Sequence, residues 1–196
     1  MSAIFQRRSI RRYTAEDVPD ALVWDVLTAA LRAPSPHNRQ PWRFAVLRGQ
    51  AREVLAHAMG EQLRQDLQRD GLPAAHIARE VTRSRERITG APVCILACLT
   101  MRDMDTYPDA RRNACERWMA GQAVAAAVQN LLLRATELGL GASWMCAPLF
   151  CPETVRTALK LPADWEPQAL ITLGHPAETG RERPRKLLTE VTLWLG

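Results

Sequence analysis

A chain of 196 residues with 47% hydrophobic and 24% charged residues has the composition of an ordinary globular protein, and we expect a single domain over residues 1–196. The net charge of +5 comes from basic residues that are interspersed with acidic ones, which excludes a nucleic-acid-binding patch. No apolar stretch reaches the roughly 20 residues that span a bilayer, arginines occupy the place of a signal peptide, and the histidines and five cysteines lack metal-ligand spacing. We therefore expect a cytoplasmic protein that binds neither nucleic acid nor membrane and holds no metal.

The first half of the chain predicts helices separated by two core strands. Apolar residues at helical spacing predict a helix over residues 17–31, and two prolines end it. An apolar run predicts the first strand over residues 43–47. Charged amphipathic segments predict one or two helices over residues 50–89, broken near residues 71–73. A continuous apolar run predicts a second, buried strand over residues 91–99.

The second half predicts a loop, a long helix and two more strands. Residues 101–112 have no clear period and predict a loop or lid. The longest helical pattern, residues 113–138, is rich in small side chains, which favours a central core helix or a dimer seam. Strands are predicted over residues 142–146 and 169–174, with a short helix over residues 152–159 between them. Strands interleaved with longer helices predict an α+β fold.

Two short segments carry most of the chemical information. Arg7-Arg8-Ser9-Ile10-Arg11 places three cations and a hydroxyl in one turn, and their donors match the oxygens of a phosphate. Asn38-Arg39-Gln40-Pro41-Trp42 places side-chain amides beside a rigid Pro-Trp step, directly before the first strand. Together they suit a ligand with a phosphate at one end and a flat heterocycle with hydrogen-bonding edges at the other. Flavin mononucleotide (FMN) fits that description.

The pair of segments, in this order and at this spacing, resembles the nitroreductase family of FMN enzymes. The resemblance implies a nitroreductase-like fold, in which helices flank a central mixed or antiparallel sheet and a long central helix lies at a dimer interface. It implies a homodimer that binds FMN between its subunits and takes electrons from NADH or NADPH. In such an enzyme the flavin carries the chemistry, so no catalytic side chain is expected.

Further segments extend the resemblance to the FMN site. Residues 127–141 resemble the family's core helix and the turn after it. The loop after the third strand lies over the reactive face of the flavin in the family, and there Ala147 or Leu149 would supply an N–H to flavin N5, because Pro148 between them has none. In the tail, Arg183 or Arg185 would return to the phosphate. The expected cofactor-binding residues are Arg7, Arg8, Ser9, Arg11, Ser35, Asn38, Gln40, Ala147, Leu149, Arg183 and Arg185.

The acceptor is predicted from a narrower likeness. Residues 107–113, 149–151 and 161–167 resemble the C-terminal flavin domain of bacterial coenzyme F-420:γ-glutamyl ligase, which implies reduction of dehydro-F-420-0. Nitroaromatic compounds and quinones are other acceptors of the family. Candidate substrate contacts are His37, Arg111, Arg112 and Arg117, whose cations suit an acidic acceptor.

Two other functions stay open. A flavin-binding module without turnover would keep both segments and reduce no acceptor. A lyase of the same family would consume FMN with oxygen, although the loop around Gln40-Pro41-Trp42 differs from that branch. A thiol mechanism at Cys146 is disfavoured, because no histidine follows nearby to activate it.

Overall fold

The computed structural model describes residues 2–196, and its centre is a four-stranded antiparallel sheet. The strands are β1 (Trp42–Leu47), β2 (Val93–Leu99), β3 (Gly141–Met145) and β4 (Glu166–Gly174), in the spatial order β1-β2-β4-β3. β2 is buried along its whole length because it lies inside the sheet with helices on both faces, which explains its continuous apolar sequence. The predicted α+β class is confirmed, with an antiparallel sheet.

Seven helices accompany the sheet. They are α1 (Ala3–Gln6), α2 (Asp20–Ala30), α3 (Gly49–Arg69), α4 (Ala74–Thr89), α5 (Ala110–Glu137), α6 (Pro152–Ala158) and α7 (Leu188–Val191), counted within residues 2–196. Helices α2 and α5 pack against one face of the sheet, and α3, α4 and α6 pack against the other. None of the helices in this described range combines the length and apolar character that a bilayer crossing requires.

Three predicted boundaries were wrong by three residues each, and one of them is the start of α2, which begins at Asp20 and not at residue 17. Helix α5 begins at Ala110, three residues earlier than predicted, because the Asp109 carboxylate accepts a hydrogen bond from the backbone N–H of Arg112 at 2.9 Å and so caps the helix. The loop therefore ends at Asp109. Strand β4 begins at Glu166 instead of residue 169, and its first residues pair with the end of β2 across a register shift at Ala97 and Cys98.

The segment before α2 joins the sheet at its β3 edge. Ser9 forms a parallel bridge with Ala142 of β3, and the backbone N–H of Ile10 donates to the Ala142 carbonyl at 3.0 Å. A side chain at Gly141 would lie 2.7 Å from Ile10 Cγ2, so the segment can approach this closely only because β3 begins with a glycine. This contact fixes the position of the basic residues around Ser9.

Candidate functional site

A cleft of about 1200 Å³ lies between the N-terminal segment, the end of α4 and the C-terminal tail. We call it the phosphate cleft. Its walls include Arg7, Arg8, Ser9 and Arg11 on one side and Arg183 and Arg185 on the other. The structure thus brings together the two basic segments that lie at opposite ends of the sequence.

Backbone contacts hold the tail beside the N-terminal segment. The Glu178 carboxylate accepts from the backbone N–H of Arg11 at 2.8 Å, and the backbone N–H of Ala177 donates to the Arg12 carbonyl at 3.0 Å. Gly180 has a positive φ of +71°, and a Cβ there would lie 2.7 Å from Arg8 Cβ. A glycine at this position lets the tail turn into the cleft.

A partly buried tyrosine joins the N-terminal segment to strand β4. The Tyr13 hydroxyl donates to the Ile10 carbonyl at 2.6 Å and lies 2.6 Å from Thr172 Oγ1 of β4. Burial raises the pKa of Tyr13 well above its usual range, so the phenol is neutral at physiological pH. Its hydrogen bonds fasten the backbone of the basic segment to the sheet.

Cations dominate the phosphate cleft. Nine arginines and three glutamates line it. Arg8 is already engaged, because it donates to the Phe5 carbonyl at 2.7 Å and pairs with Glu182 at 3.3 Å. Arg7, Arg11 and Arg183 form no ion pair within residues 2–196. Their guanidinium groups are available to an anion.

Two arginines of α4 belong to the cleft and were not predicted, because the sequence of this region has the pattern of solvated helix faces. Arg83 and Arg87 lie four residues apart, so they share one face of the helix. Partial desolvation, followed by the neighbouring charges of Arg83 and Arg11, lowers the pKa of Arg87, although the residue is exposed. Solvent compensates part of this crowding of like charges, and Arg83 is also paired with Glu80 at 3.8 Å. The i, i+4 spacing was the one signal that could have identified the pair.

A second cavity of about 650 Å³ lies beside the first, against the end of β3. Arg11, Arg83, Arg87 and Arg183 line both cavities, and residues 143–147 form a wall of the second. A ligand with an anionic end in the phosphate cleft can therefore extend along the loop after β3.

The turn after β3 shows which of two backbone N–H groups, that of Ala147 or that of Leu149, is free to donate to flavin N5. The backbone N–H of Leu149 donates to the Cys146 carbonyl at 3.0 Å, which closes the 3₁₀ turn Ala147–Phe150. Ala147 is the first residue of that turn, where an N–H has no partner inside the helix, and it lines the second cavity. Ala147 is therefore the better-placed donor of the two.

The predicted cofactor contacts Ser35, Asn38 and Gln40 lie outside both cavities. They belong to the segment Ser35–Gln40, which we call the ring loop, and none of its residues lines either cavity. The loop precedes β1, and β1 and β3 are the opposite edge strands of the sheet, roughly 14 Å apart at the usual strand spacing. The cofactor residues predicted from sequence thus form two groups within one chain.

The ring loop is strained. His37, Asn38 and Gln40 have φ values of 47°, 56° and 50°, in the left-handed region that side chains other than glycine rarely adopt. The Ser35 hydroxyl accepts from the backbone N–H of Gln40 at 3.0 Å, and buried Trp42 anchors the loop in the core. Strain of this kind clusters at functional sites, so the loop is a candidate ligand contact.

The arginines predicted to meet the acceptor are mostly paired. Arg112 forms an ion pair with Asp109 and lies 4.5 Å over the Tyr107 ring, and Arg117 is held in a two-point contact with Glu166. Arg111 is exposed and has no ion pair within the described residues. His37 is also exposed, at the strained position in the ring loop.

The thiols differ sharply in exposure. Burial raises the pKa of Cys94 and of Cys98 to about 12, whereas Cys115 and Cys146 are exposed. Within residues 2–196, no three His, Cys, Asp or Glu side chains cluster closely enough to hold a metal ion.

Comparison with known proteins identifies relatives over almost the whole chain. The profile of the nitroreductase family matches residues 4–175. A Thermus thermophilus protein named NADH dehydrogenase is 31% identical, covering 98% of this chain and 94% of that protein. A 5,6-dimethylbenzimidazole synthase of Rhodospirillum rubrum is 29% identical, covering 91% of this chain and 82% of that protein. A solved structure from Desulfovibrio desulfuricans, assigned as a nitroreductase and crystallised with FMN, is 36% identical with a TM-score of 0.77, covering 99% of this chain and 95% of that chain.

Proposed function

This chain belongs to the nitroreductase family, and from that premise we propose that it is an FMN-dependent oxidoreductase. In this proposal it takes a hydride from NADH or NADPH and passes it to an electron-poor acceptor. The observation that carries the proposal is the phosphate cleft, where two basic segments from the ends of the chain and two arginines of α4 surround one space.

The donor set of the cleft fits the phosphate of FMN. A phosphate monoester carries a charge of roughly −2 at pH 7, and planar guanidinium groups match its oxygens in pairs. We assign this contact to Arg7, Ser9, Arg11 and Arg183, with Arg185 at the rim, because these arginines have no competing ion pair among residues 2–196. Arg8 instead holds the tail through Glu182.

The second cavity suits the flavin ring. Bound FMN supplies the hydride-transfer chemistry, so the task of the protein is to orient the ring and adjust its electrostatic surroundings. The Ala147 amide is positioned to donate toward the ring, and Arg11 and Arg87 place positive charge beside it. Positive charge there favours the reduced, more negative state of a flavin.

A second copy of the chain completes the site in this proposal. The ring loop lies at the opposite edge of the sheet from the phosphate cleft, so Ser35, Asn38 and Gln40 of one copy would meet FMN held by the other. Large apolar side chains of the tail also support a homodimer. Trp194 and Leu195 are 90% and 87% exposed in the single chain, and contact with a second copy would cover them.

For the acceptor, we propose dehydro-F-420-0, with nitroaromatic compounds or quinones as the other candidates. The support is the likeness of residues 107–113, 149–151 and 161–167 to the F-420 ligase flavin domain. Of the three arginines among the four proposed acceptor contacts, Arg111 is the one that has no ion pair in the described chain, and it is therefore the best placed to bind an acidic acceptor. The sequence has no Gly-x-Gly-x-x-Gly turn, so donor and acceptor are expected to use the same flavin face in succession.

A second function has a specific observation in its favour. The Rhodospirillum rubrum relative is named 5,6-dimethylbenzimidazole synthase, so an FMN-consuming reaction is the alternative. The two functions differ in the fate of the flavin, since an oxidoreductase regenerates it and a lyase destroys it.

The test is a reduction assay with the FMN-loaded protein. Under anaerobic conditions, NADH or NADPH should bleach the flavin absorbance, and addition of dehydro-F-420-0, a nitroaromatic compound or a quinone should restore it. Reduced protein is then exposed to oxygen without an acceptor, and total flavin is measured. Recovery of all the FMN supports the oxidoreductase, loss of FMN supports the lyase, and failure of both donors to bleach the flavin supports a binding module without turnover.

A further inference from the structure

The segment between β2 and α5 carries two aspartates, one of which pairs with the ring loop and the other with the start of β1. Asp105 forms an ion pair with Arg39, inside the ring loop. Asp103 forms an ion pair with Arg43 at 3.2 Å, directly after the Pro-Trp step. Residues 100–109, which we call the bracing segment, thus pair with the ring loop directly through Arg39 and indirectly through Arg43, the second residue of β1.

The bracing segment is itself well anchored. The backbone N–H of Thr100 donates to the Pro41 carbonyl at 2.8 Å, and Met104 is buried. At its other end, Asn113 of α5 exchanges two hydrogen bonds of 2.8 Å with the backbone of Tyr107. These contacts anchor both ends of the segment.

A side chain of the bracing segment is also fixed from the far side. The Asp164 carboxylate accepts from the Thr100 hydroxyl at 2.8 Å and pairs with Arg102 at 3.3 Å. The hydrogen bond from Thr100, together with the charges of Arg102 and Arg43, lowers the pKa of Asp164, so this link keeps its charge at neutral pH.

Support from outside matters because the ring loop is strained despite its own hydrogen bonds, which include one from the Arg39 backbone N–H to the Pro36 carbonyl at 2.9 Å. Three of its residues, His37, Asn38 and Gln40, are in the left-handed region. Inside the loop, Ser35 accepts backbone N–H bonds from Gln40 and Asn38 at 3.0 and 3.1 Å. A short exposed turn with three strained residues is expected to relax unless neighbouring groups hold it.

The ion pairs act on the strained backbone directly. Arg43 donates through Nη1 to the Gln40 carbonyl at 3.1 Å while its Nη2 contacts Asp103. Arg39 stands between two of the strained residues, Asn38 and Gln40, and its guanidinium is held by Asp105. Each aspartate therefore fixes an arginine that is bonded or adjacent to left-handed backbone.

We propose that Asp103 and Asp105 are positioning residues that hold the ring loop in its flavin-binding conformation. The inference rests on the proposed function, since the loop is taken to contact the flavin ring. Half-exposed ion pairs contribute modestly to global stability, so removing one should leave the fold intact. The fraction of molecules with a competent loop should fall, and the apparent affinity for flavin falls by the same fraction.

The experiment measures FMN and riboflavin binding to the full-length protein by quenching of flavin fluorescence. Asp103→Asn and Asp105→Asn should each weaken FMN about fivefold, the effect expected of a partly exposed ion pair. Because the lost contact is at the ring, riboflavin, which has no phosphate, should weaken by the same factor. Asp105→Glu keeps the charge and should restore most of the affinity.

Two controls separate positioning from a general loss of structure. Asp17→Asn removes a different exposed ion-pair partner, that of Arg48, and should leave flavin affinity unchanged. The melting temperature without flavin should be alike for all four variants. If the wild-type protein binds no FMN, the proposed function fails. The positioning role is wrong if the wild-type protein binds FMN and both asparagine variants bind FMN as tightly as the wild type. It is also wrong if Asp105→Glu binds FMN as weakly as Asp105→Asn.

Discussion

Replacing Gly180 with alanine should detach the tail from the phosphate cleft. The backbone there has φ +71°, which costs an ordinary residue about 1–2 kcal/mol, and the new Cβ would lie 2.7 Å from Arg8 Cβ and 2.9 Å from Ile10 Cδ1. Neither neighbour can easily move, because Arg8 Cβ is next to the backbone and Ile10 is buried. The exposed residues after Gly180 are free to shift, so the strain is relieved by moving Arg183 and Arg185 away from the cleft.

The expected result is a large change in FMN affinity with little change in stability. Loss of one charge-assisted contact corresponds to about 1.5–3 kcal/mol, so FMN should bind at least tenfold more weakly, while riboflavin binding should hardly change. Isothermal titration calorimetry with both ligands measures this, and thermal melting without ligand reports stability. An FMN affinity within twofold of the wild type would refute the assignment of the tail to the phosphate.

Gly71→Ala is the matched control for the energetic cost of placing alanine at a positive φ. Gly71 has φ +74°, almost the same as Gly180, but a Cβ there meets nothing within 4 Å, and the residue lies in the turn between α3 and α4. It should lose about 1–2 kcal/mol of stability and bind FMN normally. If Gly71→Ala weakened FMN binding as much as Gly180→Ala, the lower FMN affinity of Gly180→Ala would be explained by a global loss of stability.

Three further predictions concern the core and the thiols. Leu131→Ala, at a fully buried position of α5, should reduce the free energy of unfolding by about 2–5 kcal/mol in urea titrations, and a loss below 1 kcal/mol would contradict the packing described. In the native protein, Ellman's reagent should modify Cys115 and Cys146 quickly and reach Cys94 and Cys98 only after unfolding; rapid reaction of all five thiols would be inconsistent with this burial. Burial raises the pKa of Cys94 and Cys98 from 9.0 to about 12, so the two thiols lose their protons in the unfolded state before they do so in the folded state as pH rises. The free energy of unfolding should therefore fall above about pH 9. Equal urea midpoints at about pH 8 and about pH 10.5 would contradict this prediction.

The fold was largely predictable because each element has its own local pattern. The continuous apolar run of β2 and the helical spacing of α2 and α5 identify these elements without tertiary information. Apolar periodicity predicts the start of α5 too late, because the helix begins directly after its capping residue, Asp109. The strand order β1-β2-β4-β3 could not be derived, since period-2 patterning carries no information on which strands are neighbours.

The site was predicted in part. The basic segment around Ser9 and the tail arginines could be paired because both matched one family pattern, and the structure places them in one cleft. Arg83 and Arg87 could not be separated from solvated helix charges, because their role depends on which side of α4 faces the N-terminal segment. The left-handed backbone of the ring loop was only partly visible in the sequence, because histidine and asparagine favour that conformation and Gln40 does not.

The measurement that tests the central claim most directly is the ratio of FMN to riboflavin affinity for the flavin-free protein. The two ligands share the ring and differ by the phosphate, so their ratio isolates the nine-arginine cleft. We predict that FMN binds at least about 100-fold more tightly, a difference of about 2.7 kcal/mol, and that the ratio falls as ionic strength rises. Equal affinities, or no binding of either ligand, would contradict the assignment of this cleft to a flavin phosphate.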